Sequence, residues 1–236
     1  MKISLITFLS LILTSSLSYA LPDKQIQDLD ARYQLNDPYT KLINDRGDGY
    51  ENLYGARNFR VVLRGILYRG GANNKYNKYG RKDNQNPLPQ IGIQNLCEEG
   101  FKSAYYLYET NYSSAPKQLE CLDLKGQKNV FHYKQLTAFN EANTRPYLEM
   151  VHSAIKGQTP SPIYIHCWNG WHASGLLSTL ALRQFCDYSP DKALQYWTQN
   201  TDGNSSGYTS VKNKIKNFKP YSDLAISTEE KKAICY

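Results

Sequence analysis

Residues 163–185 read IYIHCWNGWHASGLLSTLALRQF. An apolar run through Ile163 and Ile165 ends in His166-Cys167, a short loop carries Gly170, and an apolar segment then continues to Phe185. The run before the cysteine has the length of a buried strand, here 162–166, and the segment after it that of a helix, 173–186. Such a strand–loop–helix aims backbone N–H groups at one point, and the helix N-terminus adds partial positive charge there. A cysteine at that point becomes a usable nucleophile, because the amide dipoles stabilise its thiolate. Gly170 and Gly175 permit a tight turn and close helix packing. His166 can orient the loop through hydrogen bonds, and Ser174 can donate its hydroxyl to the sulfur.

Around this segment the chain alternates helix and strand. NFRVVLRGILYRGG, from Asn58, predicts two short strands, 59–63 and 66–68, and a turn. The Gly-, Asn-, Lys- and Pro-rich stretch that follows, to about residue 90, predicts a long loop. Downstream, a short helix stops at Gly100, a strand runs near 103–108, and APKQLECLDLKGQ predicts a second short helix containing Asp123. KNVFHYKQL predicts a strand; Tyr147, Met150, Val151 and Ile155 fall at helical spacing; Ser189 and the proline after it begin a further helix. Alternation of this kind implies an α/β fold with a mostly parallel sheet covered on both faces.

The first twenty residues predict a signal peptide, residues 1–20. Lys2 supplies positive charge, Ile3 to Leu13 an apolar core, and Ser18-Tyr19-Ala20 a cleavage site. The apolar run is too short to span a bilayer, and no integral membrane segment is expected, so the protein is expected to be secreted or periplasmic. Cleavage after Ala20 would leave 216 of the 236 residues and bring the formal net charge from +7 to +6. That charge favours anionic ligands. The Lys212, Lys214, Lys216 and Lys219 run is expected to be a solvated face. Residues 21–56 form a polar N-terminal extension, and 57–236 a single domain. The 20 tyrosines suit half-buried positions and leave room for a protein partner.

Of the five cysteines, an oxidising compartment leaves at least one unpaired or joined between chains. Proximity, and sparing Cys167, suggest Cys97 with Cys121 and Cys186 with Cys235; the second would staple the C-terminal tail.

HCWNGWHASG resembles the His-Cys-x-x-Gly-x-x-Arg-Ser/Thr-Gly signature of the cysteine-dependent tyrosine and dual-specificity phosphatases, with His166, Cys167, Gly170, Ser174 and Gly175 matching. NFRVVLRGILYRGG is similar to a stretch near the start of bacterial and fungal dual-specificity-like members. The resemblance covers roughly residues 57–200 and implies a phosphatase-like central, mostly parallel sheet of four or five strands flanked by helices. It implies Cys167 as nucleophile, and Arg69 as a mainly structural, buried ion-pair partner. It also exposes two departures. The signature arginine, which would fork onto two phosphate oxygens, is Ala173. The general-acid Asp expected roughly 25–40 residues before the cysteine is missing, leaving Glu141 as the carboxylate there. Losing one preorganised stabiliser typically costs about 10²–10³ in rate.

Three functions therefore stay open. The first is a pseudophosphatase that binds a phosphorylated or other anionic ligand on a loop of His166, Trp168, Asn169, Gly170, Trp171, Ala173 and Gly175. The second is an active exported phosphatase in which Cys167 and Ser174 act with His172 or Glu141 as substitutes. The third is a thiol redox or metal-handling protein. Trp168 and Trp171 could stack on a ligand or pack against the long loop at 72–90. Cys167, His166 and His172 are suitable soft ligands but lack a fourth, so no metal site is expected. No cofactor and no nucleic-acid partner is expected.

Overall fold

The computed structural model describes residues 23–73 and 87–236. The signal-peptide reading and most of the long-loop reading lie outside the described residues. In chain order the elements are α1 (Asp23–Tyr33), β1 (Ala56–Leu63), β2 (Leu67–Ala72), α2 (Gln90–Glu98), β3 (Ser103–Tyr106), β4 (Gln118–Leu122), β5 (Lys128–Gln135), α3 (Thr144–Ile155), β6 (Ile163–Cys167), α4 (Ala173–Phe185), α5 (Pro190–Gln199), α6 (Thr209–Asn217) and α7 (Thr228–Ile234).

The strands form one six-stranded sheet in the order β1-β2-β6-β3-β5-β4. Its centre is parallel, from β2 through β6 and β3 to β5, and both edge strands are antiparallel. This is an α/β architecture with a mostly parallel, mixed sheet. Helices α3 to α7 cover one face, where Ile163, Ile165 and Cys167 meet Leu176, Leu180 and Trp197. On the other face α2 and much of α1 pack on Phe59, Tyr68, Phe101, Tyr133 and Tyr164. Burial on both faces explains why β6 reads as IYIHC, without alternation.

Two readings are corrected. The segment expected to be a helix around Asp123 is strand β4, which brings the sheet to six strands. Its residues alternate between exposed and half-buried, the period of a strand. Asp123 sits in the β4–β5 turn, where its Oδ1 accepts from the N–H groups of Lys125 and Gln127, both at 2.9 Å. The second strand of NFRVVLRGILYRGG does not end in a turn at its glycines but runs through Gly70 and Gly71 to Ala72. The polar lead-in carries an eleven-residue helix, α1, that buries Leu29 and Tyr33 and joins Arg32 to Glu99 at 2.8 Å.

Both cysteine pairs are at bonding distance, Cys97 with Cys121 and Cys186 with Cys235, and Cys167 is free. Ser189 caps α5, accepting from the Lys192 N–H at 3.2 Å. In the basic run, Lys216 and Lys219 are exposed, while Lys212 and Lys214 are half-buried. Among the described residues no helix is long and apolar enough to cross a membrane.

Candidate active site

Cys167 is the last residue of β6, flanked by β2 and β3, and its loop runs directly into α4. The loop lies against β2 so closely that β2 has no room for side chains there. A Cβ on Gly71 would come within 2.4 Å of the Trp168 carbonyl oxygen and 2.6 Å of the Gly170 nitrogen. Gly170, at φ 80°, packs back onto Gly70 and Gly71. The two glycines that read as a turn are thus the bed on which the loop rests.

Polar groups complete the attachment. The Ala72 N–H donates to the Trp168 carbonyl at 3.0 Å, and Asn58 Nδ2 donates to the Asn169 carbonyl at 2.7 Å. Arg69 is buried, and its guanidinium donates to the Gly170 and Trp171 carbonyls while lying 5.9 Å from the Tyr196 ring. The expected ion-pair partner is not found among the described residues: the bonded partners are these two carbonyls and, at 3.5 Å, the Tyr196 hydroxyl.

His166 is fully buried, stacked between Tyr106 and Tyr164 with Tyr133 alongside. Its Nδ1 faces the Cys167 carbonyl, which can only accept, so Nδ1 carries the proton. Nε2 then accepts from the Tyr133 hydroxyl at 2.9 Å, and that hydroxyl oxygen in turn accepts from the Leu88 N–H. Burial holds the imidazole neutral, with its pKa pushed down to about 3. His166 orients the loop from behind the sulfur.

The Cys167 sulfur is 3.5 Å from Ser174 Oγ and almost wholly buried. Ser174 gives its one hydroxyl proton to the Gly70 carbonyl at 3.0 Å. In this arrangement Ser174 can accept from the thiol but has no proton left for a thiolate. Ala173 opens α4 and is fully buried, so this position offers a methyl group and no polar atom.

His172 lies at the start of α4 but is engaged elsewhere. Its ring stacks on Tyr208 at 3.8 Å, and Nε2 donates to the Asn204 carbonyl at 2.7 Å. Burial lowers its pKa, favouring the neutral ring. Trp171 donates its indole N–H to Asp202 at 2.9 Å, and Lys41 reaches the same carboxylate at 2.6 Å. Burial pushes the Asp202 carboxyl up, but the bonds from Lys41 and Trp171 outweigh it and hold it below the usual range. Trp168 is exposed and lies 5.7 Å from Tyr108. Beside it opens a cleft of about 480 Å³ lined also by Glu109, Thr110 and Thr137. Glu141 is exposed in a 3₁₀ turn capped by Asn140. Gly175 packs under Trp197, where a Cβ would lie 3.1 Å from the indole.

The structure thus gathers His166, Cys167, Ser174 and the Gly70-Gly71 bed. It turns His172 and Trp171 toward the 202–208 segment. Several neighbours were not singled out in sequence: Asn58, Tyr133, Glu109, Asp202, and the buried Arg57 and Arg60. The signal for the arginines was present in Ala56–Leu63, a strand with an apolar second half that holds two of them.

No family model matches this chain, and no curated protein matches it. Among solved structures it is similar to the core catalytic domain of the PP-IP phosphatase Siw14 from S. cerevisiae in complex with citrate. That chain is 17% identical, with 69% of this chain and 86% of the other covered and a TM-score of 0.43. A second Siw14 catalytic core gives 17% identity, 71% and 87% coverage and a TM-score of 0.45. TpbA from P. aeruginosa gives 14% identity, 67% and 86% coverage and a TM-score of 0.44. Overlap at this level says nothing of substrate, so the chemistry rests on the residues above.

Proposed function

We propose that this chain is an exported pseudophosphatase: its Cys167 loop receives a phosphorylated or other anionic group and hydrolyses phosphate esters poorly. The observation that carries the reading is the state of the loop's catalytic positions. Residue 173 is a buried methyl at the N-terminus of α4, His172 is bonded away on Asn204, and the Ser174 proton rests on Gly70. What supports an anion here is an unpaired sulfur at the end of β6 with the N-terminus of α4 a few residues on, an arrangement that supplies no transition-state clamp. The two cysteine pairs support export, because such bonds persist in oxidising compartments.

The test is turnover of p-nitrophenyl phosphate by the mature chain beside Cys167→Ser. The expected rate is no higher than that of the Cys167→Ser control, and Ala173→Arg is expected to raise it roughly 10²-fold, the scale of one restored charge stabiliser. Robust turnover abolished by Cys167→Ser would overturn the reading in favour of an active phosphatase. Glu109, in the cleft beside Trp168, would then be the first carboxylate to test as acid. Reversible oxidation of Cys167, or metal bound with it, would favour the thiol-centred alternative.

A further inference from the structure

Three adjacent parallel strands, β6, β3 and β5, end on the same side of the sheet. In open α/β sheets ligands bind outside such carboxyl ends. β3 and β6 keep register to Tyr106 and His166, and the Leu107 N–H still donates to the His166 carbonyl at 3.0 Å. The chain leaving β5 follows the chain leaving β3. There the Leu136 N–H donates to the Tyr106 carbonyl at 2.9 Å, and Gln135 Nε2 to the Tyr108 carbonyl at 2.7 Å. These bonds bring together one aromatic residue from beyond each strand: Trp168 after β6, Tyr108 after β3 and Phe139 after β5.

Tyr108 stands in the middle. Its ring centroid lies 5.7 Å from Trp168 and 6.0 Å from Phe139, with the planes tilted by 53° and 45°. Core packing would bury such rings, yet Trp168 and Phe139 are 43% and 42% exposed. Tyr108 and Trp168 also line the cleft of about 480 Å³ beside the loop, a size typical of ligand sites. The rest of its lining is polar. Glu109 is exposed and has no ion-pair partner among the described residues; its Oε1 accepts from the Thr137 hydroxyl at 3.3 Å. Thr110 is taken up by the Tyr106 hydroxyl, which lies 2.9 Å from its carbonyl oxygen and 2.8 Å from its Oγ1.

The cleft therefore combines two ring walls, an unpaired carboxylate and few free acceptors. Ring faces and a carboxylate both attract a cation. A primary ammonium brings three N–H donors that need acceptors, whereas a fully methylated one brings none and is held by ring faces and charge alone. We infer that this cleft binds a methylated ammonium group, with Tyr108 and Trp168 against the cation and Glu109 as its counter-charge. The inference does not depend on what the Cys167 loop receives.

The readout is the tryptophan fluorescence of the mature chain, titrated with choline chloride. Ethanolamine hydrochloride, sodium chloride and dimethylbutanol, the neutral carbon isostere of choline, are titrated beside it at matched ionic strength. Choline should give a saturable change, and the other three a weaker one or none. Trp168→Leu should abolish the change, because Trp168 reports it. Glu109→Gln and Tyr108→Leu should each raise the choline midpoint about threefold, the scale of one exposed charge or ring contact. Thermal unfolding monitors folding, and if Tyr108→Leu does not fold, the exposed Glu109→Gln decides. An equal response to dimethylbutanol would overturn the cation and leave an apolar cleft. Tighter binding of ethanolamine would overturn the preference for methylation. No saturable response to choline, or one unchanged in both Trp168→Leu and Glu109→Gln, would overturn the site itself.

Discussion

The two halves of the sheet are built to different tolerances. From β1 through β2 to β6 every residue is buried, and the loop after Cys167 touches β2 backbone to backbone. At the other edge β4 alternates between exposed and half-buried, and Leu122 and Leu124 stand in solvent at 60% and 52% exposure. The Cys97–Cys121 bond ties that edge to α2, whereas the β6 side keeps its cysteine unpaired and is held by packing, glycines and buried arginines. Close packing on both faces can hold a loop to a fraction of an ångström, but it leaves no slack. An edge strand with one wet face can absorb change.

This contrast can be broken or sharpened by experiment. The largest effect belongs to His166. Its pKa is depressed in the fold, so the unfolded chain takes up its proton first, below about pH 6.5. Stability on this account is full above that pH, falls as pH drops toward about 3, and levels off beneath. Between pH 7 and pH 4 the loss attributable to His166 is about 3 kcal/mol. Urea unfolding of wild type and His166→Gln across that range should show the wild type with the steeper loss. Parallel curves would remove His166 as the titrating group.

Gly71→Ala comes next, at about 1–3 kcal/mol, because its Cβ would meet loop backbone that cannot swing aside. The same variant should change the iodoacetamide reactivity of Cys167, since the loop must lift. A neutral result in both measurements would mean that β2 does not seat the loop. Leu122→Lys, on the far edge, should shift stability by less than about 0.5 kcal/mol and leave Cys167 reactivity unchanged. A large loss there would show the edge to be as exacting as the centre.

Much of the fold was legible beforehand because its signals are local. The apolar run into His166-Cys167, the Gly170 turn and the Ser189 cap each act over a few residues, and β6, α4 and α5 lie within a residue or two of where those signals put them. Strand β4 was misread for the opposite reason: its Gly126 resembles a helix stop, and what makes it a strand is pairing with β5. Gly70 and Gly71 were misread alike, because the demand for glycine comes from a loop about 100 residues away in sequence.

On its own the sequence determined the strand–loop–helix around Cys167, the α/β alternation and the alanine at 173, since periodicity and residue identity are carried in the chain itself. Tertiary structure alone decided where the neighbouring side chains spend their protons and charges. His172 finds Asn204, Ser174 finds Gly70, and Arg69 finds the carbonyls of Gly170 and Trp171. Hydrogen bonds and register form between segments far apart in the chain, and no local pattern records which partner a donor will meet.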